Sequence, residues 1–190
     1  MKVLGIYTSP NRDGLTAAMV QAALRGAEKA GAEVELLRLL DHRIQACRQC
    51  GNGWGICRNE GKCEQDDDFQ AVRDKVAAAD AVVLATPVYF GDLSEATKNF
   101  LDRVRRTNIG SEESPTEGRL VLSIAAAGGS GGGGPTALVA LERYFGVCQM
   151  PVFDALIATR RNREYMEQAA EQAGAAMVRH AQAERARAKQ

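Results

Sequence analysis

Ala79-Asp80-Ala81-Val82-Val83-Leu84-Ala85-Thr86 is a nearly continuous apolar run, and the rest of the architecture follows from what such a run needs around it. A strand half-exposed to water alternates polar and apolar residues, whereas a run without alternation is buried on both faces, as in a parallel sheet covered by helices. Parallel neighbours require crossover connections, so helical patterns are expected on either side. They are present. Upstream, Phe69, Val72 and Val76 recur at helical spacing over Phe69 to Ala78; downstream, Ser94 is placed to N-cap a helix to Arg105 with Ala96, Phe100, Leu101 and Val104 as its inner stripe.

The same alternation extends outward. Lys2 to Tyr7 reads as a short buried strand, closed by the turn-forming loop Thr8 to Gly14. A helix follows, with Val20, Ala23, Leu24, Ala27 and Ala30 on one side and Gly31 at its stop. Glu33 to Leu40 is the second strand. Asp41 to Asp68 has little periodicity and holds four cysteines, so it reads as a long functional loop, with Asp66-Asp67-Asp68 as a helix-start signal. Beyond a polar loop from Arg106 to Gly118, Leu120 to Ala125 is a fourth strand. Ala126 to Gly134 is a glycine-dense connection, and Pro135 fits the first turn of the next helix. Pro151 to Ala158 is a fifth strand, and Asn162 to about Arg187 a final helix with Tyr165, Ala169, Ala173 and Met177 in line. The expectation is one α/β domain over residues 1–190, a three-layer sandwich whose five-stranded parallel sheet has the order 2-1-3-4-5. Ligands in such sheets sit at the carboxyl ends of the strands, near the switch point between strands one and three.

Composition narrows the function classes. The 24 Lys and Arg balance 24 Asp and Glu, so no global field draws the chain to nucleic acid or an anionic membrane. The longest apolar stretch, Ala81 to Phe90, is too short to span a bilayer, and no signal core follows Met1-Lys2, so the expected compartment is the cytoplasm. His42 and His180 have no companions for a triad or a metal spacing. Arg179, Arg185, Arg187 and Lys189 complement the dipole of the last helix.

Ser9-Pro10-Asn11-Arg12-Asp13-Gly14-Leu15-Thr16 joins the first strand to the first helix, where free backbone N–H groups and the helix dipole make an anion site. Gly14 allows close backbone approach, Ser9, Asn11 and Thr16 can donate to phosphate oxygens, and Arg12 adds charge. The loop has neither a GxxxxGK[ST] nor a GxGxxG pattern. Read with Thr86-Pro87-Val88-Tyr89-Phe90-Gly91-Asp92-Leu93-Ser94 and its continuation to Arg103, the chain resembles the flavodoxin-like NADPH-dependent FMN reductases and iron-sulfur flavoproteins over roughly residues 2–160. Their phosphate loop is of the SPRxxGNT type and their second segment TPVYFGxxSxxxKxFxDR. Here Asn11 replaces the usual Arg and Leu15 a common Asn.

The resemblance implies FMN as cofactor and an isoalloxazine lined by Pro87, Val88, Tyr89, Phe90 and Gly91, with the Gly91 N–H near the flavin N5. Tyr89 and Phe90 also offer flat apolar area on physical grounds, though aromatics at a buried strand end serve packing more often than ligands. Ala127, Gly128 and Gly129 fall in the family's third flavin loop, facing the pyrimidine end, while Gly132 to Gly134 read as a mobile connection without a ligand role. The implied activity is FMN-dependent transfer of hydride from NAD(P)H, with electrons passed to a quinone, free flavin, small oxidant or protein acceptor. A non-enzymatic electron carrier of the flavodoxin type is the alternative, and a zinc-stapled binding module a third. The resemblance also implies a homodimer or homotetramer.

Cys47, Cys50, Cys57 and Cys63 place four thiols within seventeen residues. Thiolates suit an iron–sulfur cluster or structural zinc, and reduced thiols or local disulfides satisfy the same spacing. The iron-sulfur flavoproteins hold a [4Fe-4S] cluster through a compact CxxCxxC and a fourth cysteine. In this chain Gly53 occupies the third position and Cys57 is the next thiol. Trp54 reads either as a stacking surface for flavin or partner or as a packing anchor for its loop. Cys148 reads as a buried small hydrophobe.

Overall fold

The structure, a computed structural model, describes residues 1–109 and 114–187. Its parallel sheet has the expected path. The strands are β1 (Lys2–Tyr7), β2 (Glu33–Arg38), β3 (Ala81–Tyr89), β4 (Asp92–Leu93), β5 (Leu120–Ala127) and β6 (Val152–Thr159), arranged β2-β1-β3-β5-β6. The sheet therefore departs from the five-strand expectation by one short strand. β4 folds back antiparallel on β3, pairing Val88 with Leu93 and Tyr89 with Asp92. Two residues carry no periodicity of their own, and the turn that makes the hairpin needs positive φ at both Phe90 (51°) and Gly91 (79°).

Both faces of β3 are buried, as its composition requires. Val82 and Leu84 point into a core shared with the helices α2 (Phe69–Ala78), α3 (Glu95–Ile109) and α4 (Gly134–Val147). Ala81, Val83 and Ala85 point into a second core, under α1 (Leu15–Lys29) and α5 (Arg163–Arg187). Alanine dominates this second core for a steric reason. A Cβ placed at Gly26 would stand 1.8 Å from the Glu171 carbonyl oxygen, and one at Gly174 would stand 2.0 Å from that of Ala23, so α1 and α5 meet backbone to backbone. Among the described residues, no helix is long and apolar enough to cross a membrane.

Several boundaries move. α3 continues to Ile109, past the Arg105 end expected for it, so the polar loop after Arg106 begins as helix and then lies partly outside the described residues, as does Lys189. Gly133 and Gly134 are packed rather than mobile. Gly133 has φ 81°, and a Cβ on it would meet the Gly91 Cα at 2.3 Å. The Thr136 hydroxyl donates to the Gly91 carbonyl across the same contact.

The cysteine segment has short 3-10 turns at Gly51–Gly53 and Ile56–Arg58. Its two ends are bonded to each other. The Arg43 N–H donates to Asp68 Oδ2 (2.7 Å), the Asp68 N–H to the Arg43 carbonyl (3.0 Å), and the Gln45 N–H to Asp67 Oδ2 (3.0 Å). Asp67 does more than mark a helix start. It forms a bidentate pair with Arg103 of α3 (2.6 and 2.9 Å), each side chain 1% exposed. Arg103 also stacks 4.2 Å from the Phe69 ring centre.

Candidate active site

At the carboxyl ends of the strands, a cleft of about 550 Å3 is lined by Ser9, Pro10, Asn11, Gly14, Leu15, Thr16, Pro87, Val88, Tyr89, Ala126, Gly128, Arg160 and Arg163. Small-ligand sites typically measure ~300–1,000 Å3. Four separate segments, at the ends of β1, β3, β5 and β6, thus meet at one place, as the topology dictates for the carboxyl ends of such a sheet.

The first loop is braced from behind. Arg38, at the end of β2, donates through Nη2 to the Pro10 carbonyl (2.7 Å) and through Nε to the Ser9 carbonyl (3.3 Å). Arg38 and Arg12 share the Asp41 carboxylate. Burial would raise the Asp41 pKa, but these two guanidinium groups outweigh it and hold the carboxyl below its ordinary range. Gly14 has an extended backbone at the start of α1, and a Cβ there would meet the Asn11 Cβ at 3.0 Å. Glycine is therefore used for closeness, not for positive φ.

Beneath the cleft lies a cluster of buried hydroxyls. The Thr97 Oγ1 stands 2.7 Å from that of Thr8, 2.8 Å from that of Thr86 and 2.9 Å from the Ser94 Oγ. A hydroxyl has one donor and two lone pairs, so Thr97 uses its full capacity. Ser94 Oγ also accepts the Thr97 N–H (3.4 Å), the N-cap expected of it. One helix residue thereby ties the end of β1, the end of β3 and the start of α3.

Of the residues nominated from sequence, Ser9, Asn11, Gly14, Leu15, Thr16, Pro87, Val88, Tyr89 and Gly128 line this cleft. Arg12, Phe90, Gly91, Ala127 and Gly129 do not. Arg12 is turned outward onto Asp41, Phe90 is fully exposed, and Gly91 packs against Gly133. A Cβ on Gly129 would meet nothing within 4 Å. Pro10, Ala126, Arg160 and Arg163 are additions. Arg160 and Arg163 follow β6 at its carboxyl end, and that position in a doubly wound sheet was the available signal.

The four cysteines line a second, smaller pocket with Arg103 and Arg106. Arg103 Nη2 donates to Cys63 Sγ (3.1 Å) and Nη1 to the Gln45 carbonyl (3.1 Å). A hydrogen bond to Glu64, with burial second, raises the Cys50 thiol pKa. Arg106 bonds the Gly53 carbonyl and lies 4.6 Å from the Trp54 ring centre, with Arg58 at 5.8 Å. Trp54 thus packs between Arg58 and Arg106 and does not line the larger cleft. Among the described residues, no three His, Cys, Asp or Glu side chains are grouped as a ready metal site. Cys148 is buried, as expected.

The sequence profile of the NADPH-dependent FMN reductases matches residues 1–164. The chain belongs to that family. It is also 33% identical over 152 residues to an iron-sulfur flavoprotein of Methanocaldococcus jannaschii, covering 80% of this chain and 75% of that one. To an iron-sulfur flavoprotein of Methanosarcina thermophila it is 31% identical over 137 residues, covering 70% and 66%. Among solved structures, a flavone reductase superposes with TM-score 0.74 at 20% identity, over 96% of this chain and 63% of that one. An archaeal flavodoxin superposes with TM-score 0.64 at 15% identity, over 96% and 99%. These superpositions establish the flavodoxin-like fold of this family member.

Proposed function

We propose that the larger cleft binds FMN and that the protein is an oxidoreductase taking hydride from NAD(P)H and passing electrons to a second acceptor: a quinone, free flavin, a small oxidant or a protein. The observation that carries this reading is the meeting of an anion-binding loop (Ser9 to Thr16) with the platform of Pro87, Val88 and Tyr89 in one cleft, in a chain of this family. Gly128 lines the same cleft and leaves that wall without a side chain. FMN supplies hydride uptake at N5 and onward electron delivery; the protein supplies position. Ser9, Thr16 and the N–H groups at the start of α1 hold the phosphate, and Pro87 to Tyr89 hold the ring.

Anaerobic mixing of the purified protein with NADPH and NADH tests the reading. Rapid loss of the visible flavin band supports the reductase; bound flavin unreactive towards both nicotinamides supports the electron carrier. A Tyr89→Ala variant should slow that reduction more than it lowers stability.

The cysteine pocket favours a second redox group. Four cysteines line one pocket and a buried guanidinium donates to one of them, and thiolate donors of this kind suit an iron–sulfur cluster. Binding requires the turns at Gly51–Gly53 and Ile56–Arg58 to draw the thiols together. Anaerobically purified protein should carry iron and sulfide in equal amounts, and any one of Cys47, Cys50, Cys57 or Cys63 changed to Ser should lose most of both. Full FMN with neither iron nor zinc, and four independently titrating thiols, would refute the cluster.

A further inference from the structure

We infer that Arg160 and Arg163, from the turn between β6 and α5, form the second wall of the phosphate end of the cleft and supply the positive charge that selects FMN over unphosphorylated flavin. The inference rests on the reading of this cleft as an FMN site.

Charge carries the argument first. No Asp or Glu lines the cleft, and of its two arginines Arg160 is without an ion-pair partner while Arg163 is paired through Nε with Glu167. Positive charge at a concave site concentrates an anion. Arg12, the cation nominated from sequence, has both Nη atoms on Asp41 (2.6 and 3.2 Å) and does not line the cleft. Arg160 is different. Its side chain has no hydrogen-bond or ion-pair partner among the described residues. Arg163 gives Nε to Glu167 (2.7 Å), leaving both Nη groups without one.

The turn itself is built to present these two side chains. The Thr159 N–H donates to Asn162 Oδ1 (2.5 Å), and Asn162 Nδ2 donates to the Ile157 carbonyl (3.1 Å). Thr159 Oγ1 accepts the N–H groups of Arg161 and Asn162 (3.2 Å each). The Thr159 and Asn162 side chains are therefore spent on holding the turn, and the two arginine forks remain for a ligand. An Arg fork matches phosphate oxygens two at a time, which Ser9 and Thr16 on the opposite wall cannot do. Arg160 and Arg163 also border a surface groove along α5 that holds Glu164, Glu167 and Glu171; Arg161 lines only that groove and not the cleft, and so provides a charge-matched control.

The test is equilibrium titration of the full-length chain, freed of flavin, with FMN and with riboflavin. Wild type should prefer FMN. Arg160→Gln and Arg163→Gln should each weaken FMN about tenfold, and together about a hundredfold, while riboflavin affinity stays within about twofold. Arg161→Gln should leave both affinities unchanged. The salt dependence of FMN binding should flatten in the double variant. If both variants keep the wild-type preference for FMN, or if Arg161→Gln weakens FMN as much, the assignment is overturned while the FMN site stands. If wild type binds neither flavin, the FMN reading itself fails.

Discussion

Gly174→Ala in α5 sets two effects of opposite sign against each other. In a helix interior, replacing Gly by Ala gains about 1 kcal/mol of intrinsic propensity. Against that, the new Cβ would stand 2.0 Å from the Ala23 carbonyl oxygen and 2.8 Å from its carbon. Ordinary contact begins at 3.4 Å, so α1 and α5 must part locally by about 1.4 Å (3.4 − 2.0). A backbone carbonyl in mid-helix cannot rotate aside as a side chain would. Overpacking of this kind costs about 1–3 kcal/mol, and the rigid neighbour places Gly174 at the upper end. The parting also loosens Met19, Ala22 and Ala23 from Ala170 and Met177 in the core between the helices. The net expectation is a loss of about 2 kcal/mol, or roughly 4–8 °C in Tm for a chain of this size. Urea unfolding at constant slope measures it. Gly146→Ala in α4 is the control, because its Cβ meets nothing within 4 Å, and it should be neutral or stabilising. If Gly174→Ala is as stable as wild type or more so, the close helix contact is wrong.

Thr97→Val should cost about 1–3 kcal/mol, because Ser94, Thr8 and Thr86 lose their shared partner, and should weaken FMN binding; Thr97→Ser should restore most of both, as read by melting and flavin titration. Asp67→Asn leaves the Arg103 guanidinium buried without its counter-charge and should cost about 3–5 kcal/mol at neutral pH. Burial raises the Asp67 pKa, but Arg103 and the Gln45 and Phe69 N–H groups outweigh it and hold the carboxyl below 3.8. A lowered folded-state pKa gives stability that is complete above the unfolded value and lost as pH falls through the folded one. The difference between wild type and Asp67→Asn should thus be flat from pH 7 to about 5 and shrink only below about pH 4, as acid unfolding curves will show. Burial pushes the Cys148 thiol up to about 11, so iodoacetamide at pH 8 should reach Cys148 only after denaturation, as peptide mass mapping will report.

The sheet was legible because burial on both faces leaves a direct mark on composition, as at Val82 to Ala85. The phosphate loop was legible because Pro, Asn, Asp and Gly have local reasons to sit in a turn. What escaped depends on partners far away in the chain. Asp67 looks like one of three equivalent acids until Arg103 is brought to it from 36 positions on. Thr97 looks like a polar interruption of an apolar stripe, because its partners come from the ends of two strands. Arg12 is the cation its loop suggests, and only the placement of Asp41, which takes both its Nη groups, shows that it is turned away from the cleft. Gly133 and Gly134 look like slack, since a glycine required by a close contact, with the Gly91 backbone for one and the Ile157 side chain for the other, carries no other sign.

The closed neck of the cysteine segment makes it an exchangeable part. Because Arg43, Gln45, Asp67 and Asp68 bond the two ends to each other, the chain leaves the sheet after β2 and returns to start α2 through nearly the same point. Lengthening or shortening what lies between changes the loop's entropy only slowly with its length and transmits no strain to β2 or α2. Residues between the two bonded ends can therefore be gained or lost without moving the cleft at the strand ends, and what such a change disturbs is confined to the contacts of the segment with Arg103 and Arg106 of α3.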